Sequence, residues 1–79
     1  MKTVRISLDS IDKVKAFVNT INRFNFDFDL VSGRYVIDAK SIMGIFSLDL
    51  SKTIDLNIHT DGDDLDTVLS VLEPYIVEQ

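Results

Sequence analysis

The apolar residues of this chain change their spacing several times, between every second residue and every third or fourth residue. Val4, Ile6 and Leu8 alternate with polar residues, which is the pattern of a half-buried strand. Helical spacing begins after Asp9 and Ser10, two residue types that suit a helix N-cap. The apolar residues of that predicted helix are Ile11, Val14, Phe17, Val18, Ile21 and Phe24. The chain is therefore expected to begin with a strand and a helix that has one apolar side.

The next segment returns to alternation and predicts a β-hairpin. Two short alternating runs flank a turn signal at Ser32-Gly33. The first run places Phe26, Phe28 and Leu30 on one face, and the second places Tyr35, Ile37 and Ala39 on one face. Two such runs joined by a short turn that contains glycine are typical of paired antiparallel strands.

The remaining apolar residues predict a short helix, a strand and a final helix. Ser41 opens a dense apolar segment, 42–48, which favours a brief helix with one exposed apolar side. A fourth strand follows, with alternating Ile54, Leu56 and Ile58. Helical spacing then returns at Leu65, Val68, Leu69, Leu72 and Ile76, and three acidic residues are expected in the first turn, Asp63, Asp64 and Asp66. Pro74 has no N–H to donate and is expected to kink or end this helix.

The order of the predicted elements, β-α-β-β-α-β-α, defines a fold class. Strands with one apolar and one polar face favour an antiparallel sheet that exposes one side to water. The three helices then cover the other side, so the predicted fold is an α+β, open-faced β-sandwich. Because 79 residues is shorter than a usual domain, we expect a single domain, 1–79.

Composition excludes several classes of function. The chain has no Cys, which excludes a disulfide framework and a thiolate metal site. A formal net charge of −5 without a basic stripe argues against direct nucleic-acid binding. Apolar runs are too short to span a membrane, and the alternating N-terminus does not resemble a signal peptide. The expected location is cytoplasmic.

Three groups of polar residues are candidates for catalytic or metal-binding sites. The Asp61-Gly62 loop lacks the bidentate acid of a calcium-binding EF-hand, because Val68 stands at that place. His59 has no nucleophile at a suggestive spacing and is interpreted as a surface residue. Asp27, Asp29 and Asp38 are interpreted as a solvated face of the hairpin that also discourages edge pairing. No enzyme activity, metal or other cofactor is expected.

One segment carries a family resemblance. Lys40-Ser41-Ile42-Met43-Gly44, followed by Phe46-Ser47-Leu48, closely resembles the regulatory-serine segment of HPr, the phosphocarrier protein of the bacterial sugar phosphotransferase system. The Ile-Met-Gly form is similar to HPr from Gram-positive bacteria. Arg23-Phe24-Asn25 and Asp61-Gly62 extend the resemblance, which runs without gaps over almost the whole chain. The resemblance implies the HPr-like open-faced β-sandwich.

The resemblance also indicates a lost carrier site. HPr carries its phosphoryl group on the histidine of a His-Ala-Arg-Pro motif at the start of the first helix, and the matching stretch here is Ser10-Ile11-Asp12-Lys13. Ser10 stands in the histidine position and Asp12 in the arginine position. A serine has no base here to activate it, and the acidic residues would repel a phosphoryl group. We therefore expect no phosphocarrier activity.

The resemblance implies that some regulatory features of the family are retained. Ser41 matches the serine that HPr kinase/phosphorylase modifies, and a plain helix cap remains the alternative interpretation. Ile42, Met43, Phe46 and Leu48 resemble the apolar patch by which HPr binds its partners. The catabolite-repression HPr-like proteins also lack the histidine and keep the serine. They resemble regulators that act through a transcription factor of the LacI type, and phosphotransferase-system enzymes are the other expected class of partner.

Three functional interpretations stay open from the sequence. The leading one is a regulatory or binding module in which Ser41 is a control site. The second is an interaction or oligomerisation domain, for example a homodimer, that keeps only the HPr fold. The third is a phosphocarrier that uses another residue, Ser10 or His59, in place of the missing histidine.

Overall fold

A four-stranded antiparallel sheet forms one layer of the protein in a computed structural model that describes residues 1–77. The strands are β1 (Lys2–Ile6), β2 (Phe28–Ser32), β3 (Tyr35–Asp38) and β4 (Ile54–Ile58). They lie in the order β1-β4-β2-β3, so β1 and β3 are the two edges. The predicted domain 1–79 includes residues 78 and 79, which lie outside the described residues.

Three helices form the second layer: α1 (Ile11–Ile21), α2 (Ile42–Phe46) and α3 (Gly62–Leu72). A 3-10 helix, Glu73–Tyr75, follows α3 directly and contains Pro74. The α-helix therefore ends before the proline, as the missing N–H predicts. Within residues 1–77 no helix is both long enough and apolar enough to cross a membrane.

The core lies between the two layers and follows the predicted periodicity. Strand residues on the inner face of the sheet and helix residues at spacings of three and four are almost fully buried. The buried strand residues include Ile6, Phe28, Leu30, Leu56 and Ile58, and the buried helix residues include Val14, Phe17, Ile21, Val68 and Leu72. The α+β open-faced architecture predicted from the sequence is thus confirmed.

The hairpin between β2 and β3 is closed by a two-residue loop, Gly33 and Arg34. Ser32 pairs with Tyr35 across the loop, and Gly33 has a φ of +61°. This left-handed conformation costs glycine little because glycine has no Cβ. The loop length and the positive φ match the tight turns that join paired strands.

Some boundaries and exposures differ from the sequence expectations. Ile11 is 61% exposed, because it lies at the first position of α1, one turn before the first buried residue, Val14. Tyr35 is 65% exposed because it lies at the start of an edge strand, beside the turn. Helix α2 ends at Phe46 rather than Leu48, and Asp66 lies beyond the first turn of α3.

Candidate functional site

The N-terminus of α1 is capped by Ser10. The Ser10 backbone is extended, and its Oγ accepts a hydrogen bond from the backbone N–H of Lys13 at 3.1 Å. The Ser10 carbonyl accepts the next N–H, that of Val14, also at 3.1 Å. The hydroxyl oxygen therefore already accepts the hydrogen bond that caps the helix, which is the usual role of a serine at an N-cap.

The charged groups around Ser10 are mostly acidic. Asp9 forms an ion pair with Lys13, with 3.1 Å between Oδ1 and Nζ. Asp12 lies in the first turn of α1 and is exposed. Lys13 is thus engaged by one carboxylate, and a second carboxylate, that of Asp12, lies in the same turn. This arrangement disfavours the approach of an anionic group.

Ser41 has the same capping role at the start of α2. Its Oγ accepts a hydrogen bond from the backbone N–H of Gly44 at 3.3 Å, and its carbonyl accepts from Ile45 at 3.1 Å. The side chain is exposed to solvent. Ser41 is therefore accessible to a modifying enzyme while it stabilises a short helix.

Gly44 is a neighbour of Ser41 whose role the sequence reasoning missed. A Cβ at this position would lie 3.3 Å from Ser41 Oγ and 3.3 Å from Ile37 Cδ1, which is closer than most real contacts of this kind. The missing Cβ allows both the serine hydroxyl and the Ile37 side chain of β3 to approach Gly44 closely. Glycine inside a short helix was the sequence signal for this close packing.

Lys40 fixes the segment that leads into Ser41. Its Nζ donates a hydrogen bond to the Phe24 carbonyl at 2.7 Å, and the ammonium group lies 5.8 Å from the centroid of the Phe28 ring. Its backbone N–H donates to Asp38 Oδ1 at 2.9 Å. These contacts hold the β3–α2 connection against the segment after α1. No local sequence signal predicts the contact with Phe24, which is 16 residues away.

The four residues of the predicted apolar patch divide into two pairs. Met43 and Phe46 are exposed, at 77% and 40%, whereas Ile42 and Leu48 are partly buried and pack against the core. Ile45, between them, is fully buried and anchors α2. The exposed part of the patch is therefore Met43 and Phe46, whereas Ile42 and Leu48 pack against the core and hold α2 in place.

His59 lies on the solvent-facing side of the sheet. Its Nε2 is 2.5 Å from Asp29 Oδ2, and its backbone N–H donates to the Asp27 carbonyl. Asp29 and Asp38 are directly opposite each other in the β2–β3 pair, so these carboxylates share one face as predicted. Residues 1–77 contain no cluster of three or more side chains suited to hold a metal ion.

A loop after α2 contains a carboxyl group, that of Asp49, whose pKa is lowered by its neighbours. Asp49 Oδ1 accepts hydrogen bonds from the Ser51 hydroxyl at 2.6 Å and from the Ser51 backbone N–H at 3.1 Å. These bonds stabilise the carboxylate, and together with the charge of Lys52 they hold the pKa of Asp49 below its ordinary value. The loop is thus ordered by a local turn next to the apolar patch.

Comparisons with known proteins identify the family. Residues 12–78 match the family described as PTS HPr component phosphorylation site. The chain is 35% identical over 63 residues to HPr-like protein Crh from Bacillus subtilis (strain 168), an alignment that covers 80% of this chain and 74% of that protein.

Two solved structures share the fold. The crystal structure of HPr-C-His from Thermoanaerobacter tengcongensis gives a TM-score of 0.72 with 28% identity, over 91% of this chain and 90% of that one. The phosphocarrier protein HPr from Bacillus anthracis str. Ames gives a TM-score of 0.68 with 30% identity, over 96% and 94%. The sheet, the helices and the sequence agree, and this chain belongs to the HPr phosphocarrier family of the phosphotransferase system.

Proposed function

We propose that this chain is an HPr-family protein without the carrier histidine, and that it acts as a regulatory or binding module controlled by phosphorylation of Ser41. The observation that carries the proposal is the start of α1, where Ser10 is an N-cap whose Oγ accepts the Lys13 N–H. In the resemblance to HPr, this position is the one that holds the phosphorylated histidine. The whole chain, 1–79, acts as one HPr-like domain in this proposal.

The chemistry of phosphoryl transfer supports the loss of the carrier function. A carrier needs a nucleophile that is strong near neutral pH and a leaving group that gives up the phosphoryl group readily. An imidazole meets both needs, whereas a serine hydroxyl needs a neighbouring base. Ser10 has Asp9 and Asp12 as its acidic neighbours, and the Asp9 carboxylate is already paired with Lys13. Arginine at position 12 would attract phosphate, and the aspartate there repels it.

The position of Ser41 supports a regulatory role. Its hydroxyl is exposed and lies one residue before Ile42, at the start of the helix that presents Met43 and Phe46. A phosphoryl group adds about −1.5 to −2 charges and three acceptor oxygens at neutral pH. A phosphoryl group next to the exposed pair adds negative charge to this surface, so the surface becomes complementary to partners with basic residues around an apolar contact. We infer that HPr kinase/phosphorylase is the modifying enzyme.

The exposed apolar pair, Met43 and Phe46, supports the proposal that this protein acts by binding other proteins. Met43 and Phe46 are more exposed than most apolar side chains of the protein, and methionine adapts to differently shaped partners. Helices α1 and α2 contact each other, so exposed Ile11 lies on a neighbouring element. The proposed partners are a transcriptional regulator of the LacI type and phosphotransferase-system enzymes. Asp12 alters the charge that such partners meet at α1.

A direct test of the lost carrier function uses labelled phosphoenolpyruvate and enzyme I. We expect no acid-labile phosphate on the wild-type chain under conditions that fully label an authentic HPr. Ser10→Ala and His59→Ala serve as variants that remove the two alternative acceptors. Label of either kind on the wild type would overturn the proposal. Acid-labile label that is lost in His59→Ala would identify His59 as the acceptor, whereas acid-stable label that is lost in Ser10→Ala would identify Ser10, because a phosphoserine ester withstands acid.

A further inference from the structure

Strand β3 (Tyr35–Asp38) forms an open edge of the sheet. It pairs with β2 on one side, and within residues 1–77 no strand pairs with its other side. The Ala39 N–H donates to the Phe28 carbonyl of β2 at 2.9 Å, and backbone groups alternate in direction along an antiparallel strand. The backbone N–H and C=O groups of Ile37 and Tyr35 therefore also point toward β2, whereas those of Val36 and Asp38 point away from the sheet.

The outward backbone groups of Val36 have no hydrogen-bond partner among the described residues. Of the features that usually protect an edge, the strand has its short length and the charge of Asp38, but it contains no proline, no lysine and no bulge. Its residues instead include Tyr35 and Val36, each 65% exposed, and both residue types favour strands. The edge is thus competent to pair with another strand.

The charges at the two ends of the strand are complementary to each other. Arg34 precedes β3 and makes no hydrogen bond or ion pair within residues 1–77, while Asp38 ends β3. Asp38 lies directly opposite Asp29, and like charges at such a position are destabilising. A cation that reached Asp38 from outside the edge would relieve that repulsion.

We propose that the edge of β3 pairs antiparallel with β3 of a second copy of this chain, with Val36 opposite Val36. A two-fold axis at Val36 places Arg34 of each copy opposite Asp38 of the other, and Tyr35 opposite Ile37. The Val36 residues exchange N–H to carbonyl hydrogen bonds, and each Asp38 N–H donates to the Arg34 carbonyl of the other copy. The interface is isologous, and the two sheets become continuous. The proposal does not depend on the function proposed above.

The short edge sets the strength of the dimer. Strand β3 has 4 residues, so the buried area lies far below that of a stable dimer. We expect a dissociation constant on the order of 100 μM to 1 mM. Sedimentation equilibrium of the full chain over that concentration range measures the dimer, and a wild type that stays monomeric throughout overturns the proposal.

Charge reversal tests the register. Arg34→Asp puts aspartate opposite Asp38, and Asp38→Arg puts arginine opposite Arg34, so each single variant should dimerise about tenfold more weakly. An equimolar mixture of the two variants should associate again, because each copy then meets the opposite charges. The double variant should also recover. Unchanged dimerisation of the single variants, or a mixture that stays monomeric, contradicts the antiparallel register.

Backbone substitution tests the hydrogen bonds of the edge. Val36→Pro removes an N–H that β2 does not use, so the fold should survive while the dimer is lost. Val36→Thr keeps the N–H and the branched shape and should dimerise like the wild type. Circular dichroism reports whether each variant is folded. A folded Val36→Pro variant that dimerises normally would place the interface elsewhere.

Discussion

Ser41 Oγ lies 3.3 Å from the backbone nitrogen of Gly44, and a Cβ on Gly44 would lie 3.3 Å from the same oxygen. One oxygen therefore caps α2 and is also the atom proposed to accept a phosphoryl group. Modification would replace a single neutral acceptor with a charged group at the end of the helix that presents Met43. The helix cap and the proposed modification would therefore use the same oxygen atom.

The division between core and surface on α1 gives the first prediction. Phe17 is fully buried, whereas Ile11 on the same helix is 61% exposed. Phe17→Ala should lower the free energy of unfolding by about 3–5 kcal/mol, because it removes buried apolar contacts and leaves a cavity. Ile11→Ala should change it by less than about 0.5 kcal/mol. Urea unfolding followed by circular dichroism measures both, and equal effects would contradict the described core.

The hydrogen bonds to Asp49 predict a pH dependence. Ser51 holds the pKa of Asp49 below its ordinary value, so folding is favoured by the charged carboxylate. This contribution is fully present above the ordinary pKa and is lost as the pH falls through the lowered pKa of the folded protein. Carbon-detected NMR titration should give a lowered midpoint for Asp49, and Ser51→Ala should raise it toward the ordinary value. An unchanged midpoint in the variant would assign the shift to another cause.

The exposed apolar pair predicts selective loss of partner binding. Met43→Asp and Phe46→Asp should weaken binding of a phosphotransferase-system partner by at least about tenfold, because charges replace apolar side chains in the proposed binding surface. The fold should persist, since both side chains are exposed. Val71→Asp on α3 is the matched control, because Val71 is 39% exposed and Phe46 is 40% exposed. Isothermal titration calorimetry with the partner should give wild-type affinity for Val71→Asp and weakened affinity for the other two variants.

The start of α1 predicts what restores a carrier. Ser10→His by itself should not yield efficient transfer, because Asp12 still repels phosphate and Asp9 still binds Lys13. Replacing 10–13 with His-Ala-Arg-Pro should give acid-labile phosphate from phosphoenolpyruvate and enzyme I. The rest of the fold already matches phosphocarrier HPr with a TM-score of 0.68. If the four-residue replacement folds and remains unlabelled, a feature beyond this motif limits transfer.

Periodicity predicted the buried side of most elements, as Val14, Phe17 and Leu56 illustrate. It was wrong for Ile11 and Tyr35, because spacing identifies a face of an element and not how far the neighbouring layer extends over it. Both residues lie at the end of an element, where packing stops.

Contacts between distant residues could not be predicted from local pattern. His59 and Asp29 are 30 residues apart, and Lys40 reaches Phe24 across 16 residues. Their pairing depends on the strand order β1-β4-β2-β3 and on the path of the chain after α1. In the candidate site, the N-caps Ser10 and Ser41 were predictable from residue type. Which residues of the apolar patch are exposed and which are partly buried could be determined only from the packing of α2 in the structure.

The most direct test of the regulatory proposal is the intact mass of the chain after incubation with ATP and an HPr kinase/phosphorylase. We expect a gain of one phosphoryl group on the wild type and none on Ser41→Ala. Ser41→Asn is the matched control, because asparagine keeps the helix cap without offering a hydroxyl. It should stay unmodified with a native circular dichroism spectrum. A wild type that gains no phosphoryl group, or a Ser41→Asn variant that still gains one, would contradict the account.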